Sequence, residues 1–134
     1  MNHPIVNLRA MEPEDLDIYA DKQVRMMIDN EAGETVGIID LMNFSPQHSR
    51  AEVGIVIMKP HRHKGYATAA LTKLVAYASQ TLHLHQLFLV AECDNESCLR
   101  LFEKLGFVQT DLLKQWLQVK EGVYKDACLM QLFL

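Results

Sequence analysis

The chain changes period at Gly65, and this limits its folding more than any other feature. Residues 51–58 (AEVGIVIM) are apolar and β-branched, too short for a globular helix, and halted by Lys59-Pro60. They predict a mostly buried strand over Ala51 to Met58. Beyond Gly65, the residues Ala67, Ala70, Leu71, Leu74, Val75 and Ala78 recur at spacings of three and four. That is the apolar stripe of a helix lying on a sheet, running to about Thr81. The order then repeats. Leu87 to Ala91 reads as a buried strand, Asp94-Asn95-Glu96-Ser97 as a capping segment, and Cys98 to Leu105 as a helix stopped by Gly106.

The flanking segments follow a different logic. Ile5 to Met11 alternates as a strand, and the acidic run Glu12-Pro13-Glu14-Asp15 opens a short helix near Glu14 to Ala20. Gln23 to Asp29 and Thr35 to Met42 are apolar runs separated by a polar, Gly-containing stretch, so they pair as an antiparallel hairpin. Phe107 to Val119 and Tyr124 to Leu134, divided by Glu121-Gly122, form a second hairpin. The predicted order is β-α-β-β-β-α-β-α-β-β, an α+β arrangement with a mixed sheet, within one domain over residues 1–134.

Composition narrows the function. A formal charge of −4 disfavours a sequence-independent grip on nucleic acid and suits a cationic partner. No stretch is long and apolar enough to span a bilayer, and the first residues lack the pattern of a secretory signal, so the cytoplasm is the expected compartment. Three cysteines without a CxxC pair predict free thiols rather than a disulfide framework or structural zinc. His61-x-His63 and His83-x-His85 have no obvious carboxylate or thiol set to complete a tetrahedral site, so no metal is expected.

Between the predicted strand at 51–58 and the helix after it lies Arg62-His63-Lys64-Gly65-Tyr66-Ala67. Main-chain N–H groups, a helix N-terminus and two fixed cations together favour an anion. Gly65 has no Cβ, so a diphosphate can approach the backbone, and Ala67 keeps the first turn small. Neither the P-loop spacing nor a three-glycine dinucleotide fingerprint is present. On spacing alone, a glycine between basic residues also fits a simple turn.

Arg62-x-x-Gly65-x-Ala67 resembles the coenzyme A loop of the GNAT acetyltransferases. About thirty residues on, Asp94-Asn95-Glu96-Ser97-Cys98 through Leu105-Gly106-Phe107 resembles the E-N-x-x-A-x-x-x-Y-E-K-x-G-F signature of the same family. Leu8 to Leu16, Arg50 to Gly54 and Glu121 to Ala127 look most like the branch holding ribosomal-protein N-terminal and spermidine acetyltransferases.

The resemblance implies a sheet splayed between the strands at Glu52–Met58 and Leu87–Ala91, with acetyl-coenzyme A as co-substrate in the opening. Main-chain groups of Val56, Ile57 and Met58 would hold pantetheine. The pyrophosphate would rest on Arg62, His63, Lys64, Gly65, Tyr66, Ala67 and Thr68, with Asn95 near the thioester. The acetyl group would pass directly to a primary amine of a polyamine-like molecule or a protein N-terminus, with Glu52 as base.

Two departures from the family stand out. Phe102 replaces the tyrosine that often serves as acid, leaving Tyr124 or water in that role. Between Leu16 and Gln23 the chain has room for about one short helix where relatives generally carry two. This shortened wall and the exposed strand edges point to a homodimer. The alternative function is a coenzyme A-binding module without turnover.

Overall fold

The computed structural model describes residues 4–10 and 23–134. The helix expected near Glu14 to Ala20 lies outside them. The elements are β1 (Val6–Ala10), β2 (Val24–Asn30), β3 (Thr35–Ser45), β4 (Arg50–Ile57), a 3-10 turn (Lys59–His61), α1 (Tyr66–Gln80), β5 (Gln86–Glu92), α2 (Glu96–Lys104), β6 (Val108–Lys120) and β7 (Val123–Phe133). The strands make one sheet in the order β1-β2-β3-β4-β5-β7-β6.

β1 to β4 form an antiparallel meander. Its first tight turn is set by Asn30, whose side-chain oxygen accepts from the N–H groups of Ala32 and Glu34 at 3.0 and 2.9 Å. Gly33 there adopts φ +81°, which a β-carbon would strain. A parallel partner needs a crossover connection, and α1 supplies it between β4 and β5. β5 then pairs along its whole length with β7, antiparallel, from Gln86–Phe133 to Glu92–Ala127.

One hydrophobic cluster joins the sheet to α1. Ala70, Leu71, Leu74 and Ala78 form the buried stripe of the helix, and Ile39, Leu41, Ala51 and Leu87 supply fully buried sheet positions. On β5 the alternation is strict, with Leu87, Leu89 and Ala91 buried. The sequence gives the periods of all these elements, and the boundaries fall within about three residues of those expected.

The expectation of a mostly buried strand at 51–58 is corrected. Ala51 and Val53 are buried, but Val56 is 61% and Met58 42% exposed. A strand is buried throughout only where both neighbours continue beside it, and β5 leaves β4 after Glu52–Phe88.

The one buried charge among the described residues is Asp40, held by a two-pronged ion pair from Arg25 at 2.9 and 3.0 Å. At the sheet's outer side, Arg9 beside Asp29 holds that carboxyl below its ordinary range, helped by a hydrogen bond from the Thr35 hydroxyl.

Leu74 has no exposed surface at the centre of the α1 stripe. Leu74→Ala should cost about 2–5 kcal/mol, from lost burial plus the cavity left behind. A urea titration followed by circular dichroism measures it as an earlier midpoint with an unchanged slope.

Candidate functional site

The parting of β4 from β5 opens a cleft of about 640 Å³. Only Arg50–Gln86, Ala51–Leu87 and Glu52–Phe88 are paired; β4 then continues with β3 and β5 with β7. One wall is the exposed end of β4, from Ile55 to Ile57, and the other is α2, through Ser97, Cys98, Leu101, Phe102 and Lys104. The start of α1 closes the end, with Gly65, Tyr66, Ala67 and Thr68 in the lining.

Hydrogen-bond parity decides which main-chain groups of β4 face the gap. The Met58 N–H donates to the Val36 carbonyl at 2.8 Å, and the Val56 carbonyl lies against Gly37, so positions 56 and 58 are turned towards β3. Alternate residues of a strand turn their N–H and C=O groups to opposite sides. Ile55 and Ile57 therefore present theirs to the opening. Of the three main-chain positions expected from sequence, only Ile57 faces it; Val56 lines the cleft, and Met58 is an exposed side chain beyond it.

The loop forms the basic end of the cleft. Gly65 precedes α1 with φ +83°, no side chain caps the helix and no acidic residue occupies its first turn. The first α-helical bond there runs from the Ala69 N–H to the Gly65 carbonyl at 3.1 Å, so the amides of Tyr66, Ala67 and Thr68 have no acceptor among the described residues. Arg62, His61 and His63 line the same end, with Lys104 on the opposite wall and Lys64 exposed beside the loop. No Asp or Glu occurs in the described lining, in a chain of formal charge −4.

Three expected residues have additional duties. Arg62 Nε donates to the Ile57 carbonyl at 2.8 Å, so it fills part of the open edge. Asn95 caps α2: its side-chain oxygen accepts from the Cys98 N–H at 3.3 Å and the Ser97 hydroxyl at 3.2 Å. The Nδ2 donors are left without a partner among the described residues. Gly65 is required by the fold itself, because a β-carbon would sit 3.0 Å from Cδ of Pro4 and at positive φ.

Neither expected catalytic residue lines the cleft. Glu52 stands at its apex, in the last β4–β5 pair, where it accepts from Asn43 Nδ2 at 2.7 Å. Tyr124, half exposed on β7, borders a separate hollow with Cys93, Asp94, Lys125 and Asp126. Phe102 is 2% exposed and packs edge-on against Phe107, ring centres 5.2 Å apart. Sequence reasoning missed the α2 wall, although Ser97, Leu101 and Lys104 share one helical face at spacings of four and three. It also missed Ile55 and His61. Among the described residues, no group of three or more His, Cys, Asp or Glu could hold a metal ion. No helix there is long and apolar enough to cross a membrane.

Residues 8–108 match the family model for an acetyltransferase (GNAT) domain. The chain belongs to this family. A spermidine N(1)-acetyltransferase of Escherichia coli strain K12 is 30% identical over 120 residues, 89% of this chain and 63% of that protein. A putative ribosomal N-acetyltransferase of Bacillus subtilis is 33% identical over 94 residues, 70% of this chain and 51% of that protein. The chain thus spans less than two thirds of the length of these GNAT relatives. The Vibrio cholerae spermidine N-acetyltransferase, solved with CoA and spermine, superposes at a TM-score of 0.86 with 22% identity, covering 96% of this chain and 95% of that one. It shares the GNAT fold, with the mixed sheet expected from sequence.

Gly65→Ala should destabilise the GNAT domain by about 1–2 kcal/mol through backbone strain at positive φ, with the Pro4 contact adding to it. Lys64→Ala, at an exposed position, should stay within about 0.5 kcal/mol of wild type. Parallel denaturant titrations without ligand compare the two.

Proposed function

We propose that this chain is a single-domain, acetyl-coenzyme A-dependent N-acetyltransferase acting on a primary aliphatic amine. Polyamine-like molecules are the first acceptor class, by likeness to the Escherichia coli relative, and protein N-termini the second. The observation that carries the proposal is the cleft: a basic, carboxylate-free lining bounded by an unpaired strand edge and an uncapped helix N-terminus.

These features fit an extended ligand with amides in its arm and a diphosphate at its end. The amides of Tyr66, Ala67 and Thr68, with His63 and Lys64, would take the diphosphate, while Ile55 and Ile57 would hydrogen-bond the arm as a neighbouring strand does. Asn95 would add its Nδ2 donors, which have no partner among the described residues. Acetyl-coenzyme A supplies an activated acyl thioester to this arrangement. The apex of the fork would then hold the reacting centre, and Glu52 would receive the amine proton, directly or through one water. Phe102 donates no proton and Tyr124 is off the cleft, so solvent would protonate the departing thiolate.

We also propose self-association. A Vibrio cholerae neighbour is described as dodecameric, and β6 is here an edge strand exposing Val108, Leu112, Trp116 and Val119. Size-exclusion chromatography with light scattering should give a mass above that of one chain; a monomer at all concentrations refutes it.

The primary test measures thiol release from acetyl-coenzyme A with spermidine, spermine, amino acids and short peptides, alongside a thermal shift with the co-substrate alone. Amine-dependent release is expected, with stabilisation of about 2.7 kcal/mol at a hundredfold excess of ligand over its dissociation constant. Stabilisation without release would identify a binding module. Glu52→Gln should preserve the thermal shift and lower turnover about a hundredfold or more, the usual scale of general-base catalysis. Wild-type turnover across the pH range would remove Glu52 from the mechanism.

A further inference from the structure

The β5–β7 register sets Ala91 opposite Cys128 and Glu92 opposite Ala127. One residue further, the Cys93 N–H donates to the Asp126 carbonyl at 3.2 Å, which continues the pairing past the end of β5. Cys93 and Cys128 are therefore diagonal neighbours on one face of the sheet. Their sulfurs lie 2.8 Å apart, one S–H directed at the other Sγ. A disulfide needs about 2.05 Å, so an approach of about 0.8 Å would join them. Cys128 is buried and Cys93 partly buried, at the edge of the hollow shared with Asp94, Tyr124, Lys125 and Asp126. The third cysteine, Cys98, lines the other cleft and has no sulfur partner among the described residues.

We propose that Cys93 and Cys128 are a two-thiol oxidation site, closing reversibly to an intramolecular disulfide on reaction with a small neutral peroxide. Cys93, the less buried of the two, gives its proton to solvent and attacks one oxygen of hydrogen peroxide as thiolate: an S–O bond forms, the O–O bond breaks, and the hydroxide released takes up a proton and leaves as water. Cys128 then attacks the Cys93 sulfenic acid. The S–S bond forms, the S–O bond breaks, and a second water carries away the remaining proton. Two thiols and one peroxide give one disulfide and two waters, and a dithiol reductant reverses the change by exchange.

The surroundings govern how readily Cys93 reacts. The hydrogen bond with Cys128, then burial, then the charges of Asp126 and Asp94 push the Cys93 thiol up to about 11. Little of Cys93 is therefore thiolate, the reactive form, at neutral pH, so the oxidation quickens as pH rises towards that value. Cys93 lies two residues before Asn95, the cap of α2, so the new bond would tie that wall of the cleft to β7.

The test exposes the reduced chain to hydrogen peroxide and measures intact mass and peptide maps without reductant. Expected are a loss of two hydrogens per chain, a linked peptide pair containing Cys93 and Cys128, and recovery of the starting mass with dithiothreitol. Cys98→Ser should keep all three features. Cys93→Ser, a change of one atom at a partly buried position, should abolish the linked pair. Added oxygen on Cys93 or Cys98 without a linked pair, a disulfide between two chains only, or no change of mass would each overturn the proposal.

Discussion

The parallel pairing of β4 with β5 covers Arg50 to Glu52 and Gln86 to Phe88 and then stops, although both strands continue. Each strand is committed to another partner, β4 to β3 and β5 to β7, so the sheet behaves as two halves sharing a short seam. Leu71 and Leu74 of α1 belong to one buried cluster with Ala51 of β4 and Leu87 of β5, the two strands of the seam. Where they are not, strand edge, helix N-terminus and α2 surround one space. The cleft is thus a consequence of strand allegiance, and its polarity comes from main-chain groups that folding leaves without partners.

Charge is distributed in the same sense. Carboxylates away from the cleft are drawn into pairs: Asp29 with Arg9, Asp40 with Arg25, Asp94 with Lys125. The Asp94 pair lowers the carboxyl and raises the lysine, chiefly through their hydrogen bond. Arg62 and Lys104, at the cleft, have no carboxylate partner among the described residues. A chain with more acids than bases still offers one basic hollow, because its lining includes no acid.

Local signals in the sequence were sufficient for what is local. The period of Ala70, Leu71, Leu74 and Ala78 marks α1, and Asn30 with Gly33 marks a hairpin turn. The loop Arg62–Ala67 and the Asn95 to Phe107 segment marked the family and hence the split sheet. What the sequence left hidden depends on non-local registration. That Ile55 and Ile57 face the gap follows from how β4 is phased against β3. That Tyr124 lies off the cleft follows from the length of the β6–β7 hairpin. The proximity of Cys93 to Cys128, thirty-five residues apart in the chain, follows from the β5–β7 register, which no cysteine spacing reveals.

The bond from Arg62 to the Ile57 carbonyl has a consequence for solubility as well as for binding. An unpaired strand edge is a template on which any extended segment can add, including one from another unfolded chain. Here the guanidinium occupies the last outward carbonyl of β4, and a guanidinium keeps its charge at every pH a protein tolerates. A foreign strand would lose that rung of its ladder and meet a fixed cation in its place.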